Sequence, residues 1–251
     1  MTISEHLTEV LRDWRGSQND FPNNRIENAN WPIPFFGNPA IALVATVGVN
    51  PASGEFEFSR GWADVEKVTD WKRRLRAYFN IDVPPHGWFK PWRTGLKLLR
   101  MSYEDGTAAH FDVSYRTTTA MLRNDETDRP EFGRMVERDV AWLFQLLPLC
   151  ENLRLLLVFG PVLRPDGSIG NLAQFLMQHA PHHGFTLSER GDFRHTETGR
   201  VFFVHEADTR SEGSVTSRVV KNLTVHREEL RRRLETENNS SQNSTRHRRQ
   251  P

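Results

Sequence analysis

The sequence predicts an α/β fold in three layers, α/β/α, around a central and mostly parallel sheet. Three observations predict it. An apolar, β-branched run of strand length stands at 40–47, and two further strand-length runs stand at 108–114 and 153–159. Segments with apolar residues at helical spacing lie between and after them. Strands that alternate with helices in this way form parallel sheets covered on both faces.

Taken in order, Ser4 to Arg15 reads as a short amphipathic helix, followed by a turn-rich passage holding Trp31-Pro32-Ile33-Pro34-Phe35-Phe36-Gly37. Residues 1–33 are thus a helix and lead-in. The first core strand runs from about Ala40 to Val47. Val68, Trp71, Leu75 and Tyr78 recur at helical spacing, as do Trp88, Trp92, Leu96 and Leu99, with Pro84-Pro85-His86-Gly87 as the break between them. Ala108 to Ser114 is the second strand. Phe132, Met135, Val136, Val140, Leu143, Phe144 and Leu147 mark a strongly amphipathic helix. Leu153 to Phe159 is the third strand, ending at Gly160, and Gly170 to His179 is helical. Phe193 and Val201 to Val204 suggest a late strand or hairpin, and Val215, Val219, Leu223 and Leu230 mark the last helix. Beyond Leu234 apolar residues almost vanish, so residues 236–251 are expected to be a disordered polar and basic tail. Residues 1–235 then form a single domain.

Composition bounds the function. A chain of 251 residues, 37% hydrophobic and 26% charged, suits one sizeable soluble domain. No apolar run approaches the ~18 residues a membrane span needs. The polar, amphipathic start has no signal-peptide core, so a cytoplasmic location is expected. Cys150 is the only cysteine, which excludes an internal disulfide, a multi-cysteine zinc site and a cysteine-held iron–sulfur cluster. No metal or cofactor is expected. No Gly-x-Gly-x-x-Gly follows the first strand and no phosphate-binding NTPase loop is present, which argues against dinucleotide enzymes and NTPases. From Arg218 to Gln250 nine Arg or Lys face four Glu, so a polyanion would be met mainly there; the alternative is a solvated helix face. No obligatory protein partner is evident.

The first strand ends abruptly at Gly48-Val49-Asn50-Pro51. In an open α/β sheet ligands bind just past the carboxyl ends of the strands. Gly48 lets the backbone approach a ligand, Pro51 stiffens the turn, and Asn50 offers a donor and an acceptor. Two further strand ends carry polar residues, His110-Phe111-Asp112-Val113-Ser114 and Val204-His205 with the loop to Ser214. The three are expected to converge on one cleft.

These residues resemble the uracil-DNA glycosylase superfamily. Phe36-Gly37-Asn38-Pro39 and Thr46-Val47-Gly48-Val49-Asn50-Pro51, with Glu55-Phe56 soon after, are similar to its first motif in the mismatch-specific and single-strand-selective branches. Tyr78-Phe79, Trp88-Phe89, and Tyr103 before Gly106-Thr107-Ala108-Ala109-His110-Phe111-Asp112 resemble the middle of such proteins. Val158-Phe159-Gly160 falls in the expected order, and the likeness covers roughly residues 34 to 230. It implies a monofunctional DNA glycosylase that hydrolyses the N-glycosidic bond of a flipped-out uracil-type or modified base, with DNA as partner. On that reading Asn50 positions the water and His205 stabilises the departing base. Glu55 serves as base or cation stabiliser, or is an ordinary surface Glu. Gly48, Val49, Pro51 and Asp112 shape the base pocket. Phe56, Phe58 and Trp62 are candidate stacking platforms, with core packing as the alternative for each. Arg210 is a wedge or phosphate contact, or an ordinary exposed Arg, and Ser211, Ser214 and Arg218 face DNA phosphate near the start of the last helix.

Two departures stand out. Uracil-excising members read the base with an Asn where this chain has Asp112. An ionised Asp only accepts hydrogen bonds, so it favours an exocyclic amino group such as that of a modified cytosine; a protonated one donates to a carbonyl. The usual His-Pro-Ser is His205-Glu206-Ala207-Asp208-Thr209-Arg210-Ser211, without Pro-Ser. Competing readings are a nucleotide or nucleoside hydrolase acting on a small substrate, and a catalytically silent DNA-binding relative.

Overall fold

Strands and helices alternate as the sequence predicts, and the order in which the strands pair decides where a ligand can sit. The computed structural model describes residues 1–23, 25–27, 30–52, 54, 62, 65–81, 85–119, 126–207 and 214–246. Helix α1 (Ile3–Gly16) opens on a capping box in which Thr2 and Glu5 satisfy each other's backbone N–H groups. The order continues β1 (Phe35–Phe36), β2 (Val44–Gly48), α2 (Val68–Ala77), α3 (Phe89–Leu98), β3 (Ala108–Asp112), α4 (Arg129–Leu146) and β4 (Leu155–Val158). A short hairpin follows, β5 (Pro161–Leu163) and β6 (Ile169–Asn171). Then come α5 (Leu172–His179), β7 (Phe185–Leu187), β8 (Phe193–His195), β9 (Val201–Glu206) and α6 (Val215–Arg246).

The seven-stranded sheet runs β1-β3-β2-β4-β9-β8-β7. Its centre, β3-β2-β4-β9, is parallel throughout, while β1 and the β8–β7 hairpin add antiparallel edges. The chain leaves β2 for β3 on one side and later returns to β4 on the other. The carboxyl ends of β2 and β4 therefore flank the point where the winding reverses, the place where such sheets open a crevice.

Each buried face follows from the two-residue period of a strand. Thr46, His110, Leu157 and His205 occupy one row across the four parallel strands. On that face His110 meets Trp88 and Phe89 at the start of α3, and His205 meets Asn222 and His226 of α6. Helices α3 and α6 lie so close that a Cβ on Gly95 would stand 2.6 Å from the Leu223 Cδ1 methyl, so a larger residue there would have to displace the Leu223 side chain. On the other side Phe144 of α4 packs on Phe185 and Phe193, and Phe185 on Phe202. The α/β/α layering is thus as expected.

Three boundaries differ from expectation. Strand β2 starts at Val44 rather than Ala40, because Asn38 accepts from the backbone N–H groups of Ala40, Ile41 and Ala42 and turns the chain. The short β1 and the β5–β6 hairpin carry too few residues to show a period. The last helix continues to Arg246, past the core residue Leu234. A helix already nucleated by packing adds further turns at little cost. Among the described residues no helix is long and apolar enough to cross a membrane, and no group of three or more His, Cys, Asp or Glu side chains could hold a metal ion.

Candidate functional site

At the carboxyl end of β2 the side-chain row reaches a residue without a side chain, Gly48. Gly48 pairs with Asp112, and a Cβ on Gly48 would stand 3.1 Å from Asp112 Oδ1 and from His110 Cε1. Glycine is needed here because those side chains fill the space a larger residue would take. On the other flank Val158 pairs with Val47, so the next residue, Phe159, stands beside Gly48. The Phe159 ring meets Trp92 edge-on at 5.7 Å, and Trp92 leads through Trp88 to His110. Asp112 and Phe159 therefore share the α3 face and bracket the glycine.

Asp112 is buried at 4% exposure. His110 Nε2 lies 3.3 Å from its Oδ1, while Oδ2 is buried with no hydrogen-bond partner among the described residues. Burial raises the Asp112 carboxyl above its ordinary range, and His110 counters this in part. Behind it runs a chain of buried hydrogen bonds, Tyr103 Oη to Thr46 Oγ1 at 2.6 Å and Thr46 Oγ1 to His110 Nδ1 at 2.9 Å. Burial holds the Tyr103 hydroxyl protonated, and Thr46 is its hydrogen-bond partner. Tyr103 thus donates to Thr46, Thr46 donates to His110 Nδ1, and His110 carries its proton on Nε2, donating to Asp112.

Asn50 is held by the segment that follows β3. Its Nδ2 donates to the Pro51 carbonyl and to Thr118 Oγ1, both at 2.9 Å. A carbonyl can only accept, which fixes the amide's orientation. Both N–H bonds are thereby turned into the loop, and Oδ1 accepts no hydrogen bond from a described residue. Backbone bonds from Val113 to Gly48 and from Ser114 to Val49 zip the two loops together. Beneath them lies a buried ionic cluster. Arg116 pairs with Asp139 of α4 at 3.3 Å, Ser114 Oγ donates to Asp139 Oδ2 at 2.6 Å, and Arg138 bridges Asp139 to Asp13 of α1. Desolvation pushes the Asp139 carboxyl up to about 6, against the pull of Arg116, Ser114 and Arg138.

The structure therefore brings Gly48, Val49, Asn50, Pro51 and Asp112 together. It does not bring His205 to them. His205, on β9, stands two strands from β2, about 10 Å at the usual strand spacing, and its Nε2 lies 2.7 Å from Asn222 Oδ1. Because that oxygen only accepts, the Nε2–H of His205 is already used. Burial lowers its pKa and keeps the ring neutral. Trp62 belongs to the hydrophobic core, which is the alternative the sequence left open for it. Ser214 caps α6, accepting from the Ser217 N–H at 3.2 Å, and Arg218 lies over the Phe159 ring at 5.7 Å. Glu55, Phe56, Phe58, Arg210 and Ser211 lie outside the described residues.

Sequence reasoning missed Phe159, the Tyr103–Thr46–His110 chain and the Asp139 cluster. Only Asp139 left a signal, because it interrupts an apolar helix face between Val136 and Val140. No protein-family model matches the chain, and a search of curated proteins finds no match.

Proposed function

We propose that this chain is a monofunctional DNA glycosylase that hydrolyses the N-glycosidic bond of a flipped-out base. One observation carries the reading: at the crevice of a parallel sheet, a buried Asp112 with an unpartnered oxygen stands beside Gly48, and an oriented Asn50 carbonyl stands at the tip of the same strand. Buried polar atoms without partners are rare, and at a strand end they mark where a ligand's polar edge completes the set. Such a pocket reads a base edge.

The chemistry follows from what these groups can and cannot do. Asn50 Oδ1 accepts a hydrogen bond from a water and orients it, but an amide is no base at neutral pH. The C1′–N bond therefore breaks ahead of water attack, its electron pair leaving with the base nitrogen. The water oxygen then bonds to C1′ and its proton passes to solvent or to the departed base, leaving an abasic sugar with a C1′ hydroxyl. Arg218 and the amino end of α6 contribute positive potential at this end of the sheet, which favours both phosphate and the anionic leaving group.

The test is abasic-site formation on DNA carrying uracil, hypoxanthine, cytosine, and hydroxymethylated or glycosylated cytosine, single- and double-stranded. Asn50→Ala is expected to lower base release by about a hundredfold or more, since it removes the group that orients the water. Absence of release from every substrate, or release unaffected by Asn50→Ala, would overturn the proposal.

A further inference from the structure

A groove of about 570 Å³ opens at the amino end of the parallel sheet, the end away from Gly48 and Asn50. One side comes from segments that lead into the strands, Asn38 and Ile41 ahead of β2 and Glu104 to Gly106 ahead of β3. The other side is α2, which presents Lys72, Arg73 and Arg76. The length of β2 alone sets about 13 Å between this groove and Gly48 at the usual rise of a strand. The size is that of a small-molecule site.

The charges of the two sides are supplied with partners unequally. The acids are spent near their own loop. Glu104 pairs with Arg93 at 2.6 Å and accepts from the Ser102 hydroxyl, and Asp105 Oδ1 accepts from both the N–H and the hydroxyl of Thr107. The cations keep donors to spare. Arg73 gives one nitrogen to Asp70 at 3.2 Å, and Arg76 is exposed with no hydrogen-bond or ion-pair partner among the described residues. Lys72 turns its ammonium to α1, donating to the Ser4 carbonyl and to the Ser4 and Thr8 hydroxyls, so it lends the groove charge rather than a donor. Burial, and after it the nearby Arg76, lowers the Lys72 pKa. Like charges one helical turn apart repel, and an anion beside them relieves the repulsion. Asn38 spends Oδ1 on the Ala40 N–H, which leaves its Nδ2 hydrogens as further donors. Ile41 adds an apolar ledge, 50% exposed, against Gly106, where a Cβ would stand 2.6 Å from the Ile41 Cδ1 methyl.

We propose that this groove binds a phosphate-bearing small molecule of nucleotide size, with Arg73, Arg76 and Asn38 donating to the phosphate oxygens and Ile41 supporting the uncharged part of the ligand. A guanidinium meets phosphate oxygens two at a time, and three neighbouring cations suit a dianion. Nothing in the groove requires the glycosylase reading, since a base held at the carboxyl ends of the strands lies at the other end of the sheet.

The full chain is titrated calorimetrically at low ionic strength with adenosine monophosphate, adenosine and inorganic phosphate. Adenosine monophosphate is expected to bind saturably and at least about tenfold more tightly than adenosine, through charge-assisted hydrogen bonds to its phosphate. It is also expected to bind more tightly than inorganic phosphate, an advantage that Ile41→Ser reduces. Arg76→Gln is expected to weaken adenosine monophosphate by about tenfold, and Arg73→Gln to act in the same direction. Arg190→Gln, between β7 and β8 at the far edge of the sheet, is expected to leave binding unchanged. Both groove arginines are exposed, so their variants are expected to keep the parent melting temperature. Absence of saturable binding, adenosine binding as tightly as its monophosphate, or binding indifferent to Arg76 overturns the site. An equal loss in Arg190→Gln shows diffuse attraction and overturns it as well. Arginine changes that weaken only the binding of a DNA duplex make this face a backbone contact and remove the small-molecule site.

Discussion

Asp112 and Asp139 are the most deeply buried aspartates among the described residues, and they are treated in opposite ways. Asp139, with no exposure at all, is saturated: Arg116 and Arg138 pair with it and Ser114 donates to it. Asp112, nearly as buried, receives one hydrogen bond from His110 and keeps its second oxygen without a partner. A carboxylate that only has to hold a fold together is supplied with every contact it can accept. One left incomplete at the carboxyl end of a strand is a place where something else supplies the missing donor.

The contrast breaks first under Asp139→Ala. That change leaves Arg116 buried without its counter-charge and is expected to destabilise the fold by about 3–5 kcal/mol, read as a lower urea midpoint at unchanged slope. A loss no larger than that of a surface substitution would show that the cluster is not what anchors the loop.

A third buried group sharpens the comparison. His6 of α1 is fully buried beside Trp142, neither ring nitrogen has a hydrogen-bond partner among the described residues, and burial lowers its pKa to about 4 from 6.5. A proton prefers the unfolded chain, so the stability His6 contributes is complete above pH 6.5 and is lost as the pH falls through 4. At about 1.4 kcal/mol per pH unit the loss approaches about 3 kcal/mol. Asp139, raised instead, acts in the opposite sense: its contribution is present below pH 4 and is lost as the pH rises through about 6. The two contributions largely offset each other in the wild type, so His6→Leu, which removes only the acid-sensitive one, is expected to be more stable at pH 4.5 than at pH 7 in urea unfolding.

The smallest effect belongs to Asp112→Asn. The amide keeps the acceptor for His110 and carries no charge to desolvate, so stability is expected to change by less than about 1 kcal/mol, toward gain. A loss comparable with that of Asp139→Ala would erase the distinction between the two aspartates.

The layering was legible in the sequence because long apolar periods report burial directly. Every helix and the three central strands announced themselves this way, and so did the end of β2, where an apolar run stops at Gly48. What stayed hidden depends on register and on partners far away in the chain. That Gly48 faces Asp112 on one side and Phe159 on the other follows only from strand pairing. His205 was legible as a polar residue near a strand end. Its hydrogen bond to Asn222, seventeen residues on and in a helix, was not. The sequence also contains no hint that Thr46, in the middle of an apolar strand, relays between Tyr103 and His110; a buried threonine in a strand usually needs no such explanation.

The tie from Arg138 to Asp13 reaches further than the cluster it belongs to. It links the first helix, through Asp139, to the segment that clasps the Asn50 amide. A tilt of α1 by a fraction of an ångström would be handed on to the Asn50 carbonyl, which the proposed glycosylase uses to hold a water, with no core residue exposed on the way. Alterations at the amino-terminal helix are thus expected to register in turnover before they register in melting temperature.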